Sequence, residues 1–220
     1  LKYKCINHLC DLGESSLGTW QGKAPFCING FFIGEKPGFH FGKSQVSTNQ
    51  EGSALVVLEP LKKLNVEVLI SRAGSGILEQ DEKVYIQLEE LDKEFNRLIL
   101  YPEQTPVELI PGNYNAKIFL ISSNEDFRIE EQTTTNCVQV PRGAIGGILG
   151  LTKEECHDIT IPGTTVDTLV TGTEEFSFII TEENLEHGTI IFHAPYHGKI
   201  SDLNDLAELS EQPGRLPEFK

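Results

Sequence analysis

From Ala24 onward, apolar residues fall at every second position in short runs separated by turn residues. That is the period of a half-buried strand rather than of a helix. Pro25-Phe26-Cys27-Ile28 and Phe31-Phe32-Ile33 flank Asn29-Gly30. An Asn-Gly pair between apolar runs predicts a two-residue hairpin, because both central positions of a type I′ turn take positive φ. Pro37-Gly38 marks a second turn before Phe39 and Phe41, and Ala54-Leu55-Val56-Val57-Leu58 is an apolar run ended by Pro60. Val66, Val68 and Ile70 alternate with Glu67 and Leu69, and Val84-Tyr85-Ile86-Gln87-Leu88 alternates cleanly. Leu98 to Tyr101 stops at Pro102. Val107 to Ile110 meets the turn Pro111-Gly112-Asn113, after which Tyr114, Ala116, Ile118 and Leu120 line one face of a long strand. Short strands at this spacing predict a mainly β fold, an antiparallel sandwich or a barrel-like closure of one.

The second half reads similarly. Cys137 to Val140 is a strand ended by Pro141, and the glycine-rich apolar segment 143–150 reads as a loop packed on the core. Segments 158–161 and 166–170 are short strands. Phe176 to Ile180 and Thr189 to Phe192 predict a buried hairpin joined by the polar segment 181–188. One short C-terminal helix is expected over residues 201–210, capped by Ser201, with Leu203, Leu206, Ala207 and Leu209 as its apolar set. The organisation is a sandwich-like region over residues 1–130 and an acidic β-rich region over 131–220, either separate or part of the same domain.

Composition narrows the function classes. A hydrophobic share of 39% is enough for a core. No stretch approaches the roughly 20 apolar residues of a membrane-spanning helix, so no membrane association is expected. No apolar stretch follows the basic start, so a retained signal peptide is not expected either. The formal charge is −15, and residues 151–220 hold 4 basic against 14 acidic side chains. Such a charge repels phosphate backbones, so direct nucleic-acid binding is not expected; it suits a basic protein partner, or simply solubility. An acidic C-terminal region that mediates assembly would make the chain a homo-oligomer subunit. Five cysteines at irregular spacing do not read as a disulfide scaffold in a chain this long, which favours a reducing, cytoplasmic setting.

Candidate chemistry is sparse. Cys5, His8 and Cys10 form the densest cluster of soft metal ligands, but a structural zinc site needs four groups at other spacings. His193 and His197 stand four apart with Pro195 between them; in a strand an even separation would place both on one face, as a metal or acid–base pair. Cys156-His157-Asp158 contains a nucleophile, a base and an acid, although adjacent residues rarely face one another. Segment 143–150 lacks the Gly-Lys-Ser/Thr ending of a phosphate loop. The acidic turns near residues 80–83, 124–126 and 182–186 lack the Asp-x-Asp-x-Asp order of a calcium loop. No cofactor is expected.

The stretch from about Phe39 to Phe127 resembles competence protein J. The run Ala54 to Leu58, the strand Val84 to Leu88, and Leu109-Ile110-Pro111-Gly112-Asn113-Tyr114 carry the likeness. The resemblance implies a small acidic β-sandwich that inhibits a nuclease, without catalytic residues. The expectation is therefore a non-catalytic β protein that binds another protein, in an inhibitor-like way. The alternative is an enzyme or a small-ligand or metal-binding protein with its site near His193 and His197.

Overall fold

The computed structural model describes residues 1–72, 76–123, 127–141, 152–198, 200 and 214–220. The chain opens with β1 (Lys2–Cys5), which turns straight back into β2 (His8–Asp11) and also pairs with β3 (Gly30–Gly34). Then come β4 (Phe39–His40), β5 (Gly42–Val46), which completes the sheet β2-β1-β3-β5, and β6 (Glu59–Pro60), which pairs with β4. Tyr3 is fully buried on this sheet and lies over Gly30. A Cβ on Gly30 would stand 2.1 Å from the Tyr3 phenolic oxygen, so the position is closed to larger residues. A disulfide from Cys5 to Cys27 anchors the preceding loop to β1.

The main body is built from β7 (Lys62–Ser71), β8 (Glu82–Glu90), β9 (Phe95–Tyr101), β10 (Val107–Leu109) and β11 (Gly112–Ser122). A long excursion follows: β12 (Arg128–Ile129), β13 (Gln132–Pro141), β14 (Thr152–Ile161) and β15 (Thr164–Thr165). The chain then rejoins the body as β16 (Leu169–Ile180), the short helix α1 (Glu182–Glu186), β17 (Thr189–Pro195) and β18 (Glu218–Phe219). Two sheets result, ordered β10-β7-β17-β18 and β16-β11-β8-β9. Val66, Val68 and Ile70 of β7 and Ile190, Phe192 and Ala194 of β17 share one core with Val84, Ile86 and Leu88 of β8 and Tyr114, Ile118 and Leu120 of β11. Each buried Val, Leu, Ile or Phe among them contributes about 1.5–3 kcal/mol, which is why β7, β8 and β11 alternate, whereas β17 is buried on both faces from Ile190 to Pro195. Pairing is antiparallel throughout the described strands except between β7 and β17, which run parallel with Val66 opposite Ile190. The fold is thus a mainly β sandwich, and the described strands form no closed barrel.

Several expectations change. The Asn29-Gly30 hairpin does not form: Asn29 takes φ 57°, but residues 25–28 join no strand and β3 pairs with β1 and β5 instead. Residues 54–58 join no strand either. Val56 and Val57 pack across the glycines of β3 and β5, where Val57 O would stand 2.0 Å from a Cβ on Gly42, and the glycine gap replaces a ladder partner. The hairpin expected from Phe176 to Phe192 is also absent. β16 pairs with β11 and β17 with β7, because α1 carries the chain from one sheet across to the other. That helix starts at a Thr181 capping box, in which Thr181 Oγ1 accepts from Asn184 N and Asn184 Oδ1 from Thr181 N. The expected helix over 201–210 and the glycine-rich segment 143–150 lie outside the described residues.

Candidate functional site

The two histidines of the sequence pattern sit at the C-terminal end of β17. His193 is buried, and its Nε2 stands 3.2 Å from Glu218 Oε1 on the adjacent β18. The same oxygen accepts from Arg215 Nη2 at 2.9 Å. Arg215 also donates its backbone N–H to Glu174 of β16, a buried carboxylate whose Oε1 has no partner among the described residues. Burial pushes the Glu174 carboxyl up to about 7, against the opposing effect of the Arg215 N–H. His197 lies beyond the strand, with its backbone N–H donating to Thr171 O at 3.1 Å and its Nε2 enclosed without a described partner. β17 ends at Pro195, so the two imidazoles do not share a strand face, and among the described residues they join no group of metal-ligating side chains. What the sequence missed here is Glu174, Glu218 and Arg215: a titratable set drawn from two sheets, which no spacing along the chain announces.

Beside this cluster Tyr196 lies against Arg72, whose guanidinium centre is 4.5 Å from the ring. Arg72 pairs with Glu79 and with Glu82, the latter buried and also accepting from Glu79 N at 2.8 Å. The arrangement locks the ends of β7 and β17 together.

The N-terminal cysteine cluster is corrected. Cys5 is joined to Cys27, so it has no thiolate to offer; His8 is exposed opposite Cys5 in the β1–β2 register, and Cys10 is a free, partly exposed thiol. The reading of the cysteines as unpaired also fails for Cys137 and Cys156, which form a second disulfide. Cys156-His157-Asp158 is no triad, since alternation on β14 sends His157 to the face opposite Cys156 and Asp158.

An open cleft of about 570 Å³ lies at β4, lined by Lys36, Phe39, His40, Phe41, Leu61 and Arg97. Burial holds His40 below its ordinary value there, against the opposing carboxylate of Glu59.

The most distinctive element is the ribbon β13–β14. Its ten-residue strands pair with each other from Gln132 opposite Ile161 to Pro141 opposite Thr152, and with no other described strand. It projects from a root in which Phe127, Leu169 and Ile200 are buried with Ile129 and Val166 against them. Thr133 to Gln139 and Lys153 to Ile161 are exposed on both faces. At about 3.4 Å per residue the ribbon is roughly 30 Å long. One face carries Thr133, Thr135, Cys137 and Gln139 beside Glu154, Cys156, Asp158 and Thr160. The other carries Asn136, Val138 and Val140 beside Lys153, Glu155, His157, Ile159 and Ile161. Two signals could have marked it: Cys137 and Cys156 stand almost symmetrically about the glycines, and the runs around them are rich in threonine and valine or isoleucine.

Comparisons with protein families, with known proteins and with solved structures found no match to this chain.

Proposed function

We propose that the chain is a non-catalytic binding protein that engages a basic surface of another protein through the β13–β14 ribbon. The observation that carries this reading is the ribbon itself. A two-stranded ribbon alone in water is marginally stable, yet this one extends ten residues per strand with Val138, Ile159 and Ile161 exposed at 46%, 54% and 57%. Both outer edges lack a described strand partner, the feature by which one chain adds a strand to another. Glu154, Glu155 and Asp158 outweigh Lys153 on its exposed surface, so a basic partner is favoured both in approach and in register. A nuclease, the partner class implied by the resemblance to competence protein J, has the required chemistry. The reading of an enzyme centred on His193 is less well supported, because that imidazole is buried with its Nε2 against Glu218.

The test is affinity capture by the immobilised chain, compared with the triple variant Glu154→Lys, Glu155→Lys, Asp158→Lys. A basic protein retained at low salt, released at high salt and not retained by the variant is the expected result. Equal capture by both proteins, or no salt-sensitive partner at all, would remove the proposal. Light scattering on the same samples identifies the case in which the captured partner is a second copy of the chain.

A further inference from the structure

The two disulfides differ in their surroundings. Cys27 is buried beneath the N-terminal sheet, whereas Cys137 and Cys156 are exposed on the ribbon where a reductant reaches both sulfurs. Beside them stands Glu154, two residues before Cys156 and therefore on the same face. The two Sγ atoms and a Glu154 carboxylate oxygen all lie within 4.8 Å of one another, and Glu154 has no hydrogen bond or ion pair among the described residues. Its neighbours are already engaged: Asp158 accepts from Thr135 Oγ1 at 2.6 Å, and Glu155 accepts from Lys153 Nζ at 2.9 Å on the opposite face.

We infer that the ribbon carries a thiol-gated site for a zinc-like divalent cation, closed while Cys137 and Cys156 are joined and opened by their reduction. A dithiol supplies the two electrons: the Cys137–Cys156 bond breaks, two thiols form, and the dithiol leaves as its own disulfide. Binding of the cation then displaces the two thiol protons, giving two thiolates and the Glu154 carboxylate as ligands, with water in the fourth position. Zinc–sulfur bonds of about 2.3 Å and zinc–oxygen bonds of about 2.0–2.2 Å place tetrahedral ligand atoms roughly 3.5–3.8 Å apart. Side-chain rotation from the present positions is enough to reach that spacing, because the three residues are already neighbours on one face. The paired backbone of the ribbon holds them there after the covalent link is gone. In a reducing compartment the ribbon is clamped by the metal, and in an oxidising one by the disulfide.

The test uses the full chain, reduced with a dithiol that is then removed without air, and titrated with zinc against a colorimetric chelator. One equivalent is expected in the reduced protein and none in the oxidised one. Cobalt in place of zinc is expected to give the intense near-ultraviolet absorption of thiolate-to-metal charge transfer. Cys137→Ser and Cys156→Ser abolish both signals, and Glu154→Gln weakens binding by about tenfold or more, at least the effect of losing an outer-shell partner. A Cys5→Ser, Cys10→Ser, Cys27→Ser variant retains them. Equal uptake by the oxidised chain, persistence in Cys137→Ser, or loss confined to the N-terminal variant would each overturn the site. Circular dichroism accompanies every variant, and a Cys137→Ser protein that retains the β spectrum while losing the cobalt band separates the metal site from folding.

Discussion

The phenolic O–H of Tyr114 donates to the carbonyl of Ile110, 2.9 Å away, across the Pro111-Gly112 corner that leads into β11. Ile110 returns its N–H to the same oxygen at 3.4 Å, and both residues are fully buried. Burial raises the Tyr114 pKa, so the phenol stays neutral and able to donate. Removing the hydroxyl leaves a buried carbonyl and a buried N–H without this partner, which costs about 1–3 kcal/mol. Tyr114→Phe is therefore expected to lower the unfolding free energy by that amount, read as a lower urea midpoint at constant slope. A change under about 0.5 kcal/mol would show that the corner is held by packing alone.

Glu174 makes stability depend on pH in the sense opposite to that of a surface carboxylate. Its native pKa of about 7 lies above the ordinary 4.5, so the folded chain retains a proton that the unfolded chain has released. The stability contribution is full below pH 4.5 and is lost as pH rises through about 7. Glu174→Gln removes this dependence. The variant is expected to exceed the wild type by up to about 3 kcal/mol near pH 8 and to match it near pH 4, read from denaturant titrations. Parallel curves for the two proteins across that range would contradict the assignment.

Gly172 of β16 faces β17, and a Cβ there would stand 1.9 Å from Pro195 O. The obstacle is backbone, so it cannot rotate away as a side chain would. Gly172→Ala is expected to cost about 1–3 kcal/mol as an overpacking change. The associated separation of β16 from β17 should reach the adjacent His193 and His197, visible as shifts of their imidazole proton resonances. Unchanged melting temperature and resonances would show that the sheets slide apart freely.

The sandwich body was legible because its strands obey a rule written along the chain. Burial on one face forces the period-two alternation of Val66, Val68 and Ile70, of Val84, Ile86 and Leu88, and of Tyr114 to Leu120. The pairing of those strands was not legible. Phe176 to Ile180 and Thr189 to Phe192 look like neighbours in the sequence, but α1 separates them into different sheets. The apolar run at 54–58 misled for a related reason: its partners are gaps over Gly34 and Gly42, which a one-dimensional pattern does not display. The candidate histidines were found, but the partner of His193 comes from β18, and Glu218 is linked through Arg215 to Glu174 of β16. The ribbon cysteines were visible as residues, and only the register of β13 against β14 makes them opposite numbers.

The parallel contact of β7 with β17 also fixes an order of events in folding. β8 pairs with β9 and β11, and β7 with β10, among strands made close together in time, whereas the other edge of β7 waits for β17, which is made only after β16. A nascent chain that has emerged only through β16 already holds one sheet, yet leaves the edge of β7 opposite β10 unpaired at the unoccupied place of β17. Contacts of such sequence separation form slowly and leave aggregation-prone edges in the interval. The late arrival of β17, rather than the formation of the early hairpins, should therefore limit how fast the chain becomes resistant to proteolysis during synthesis.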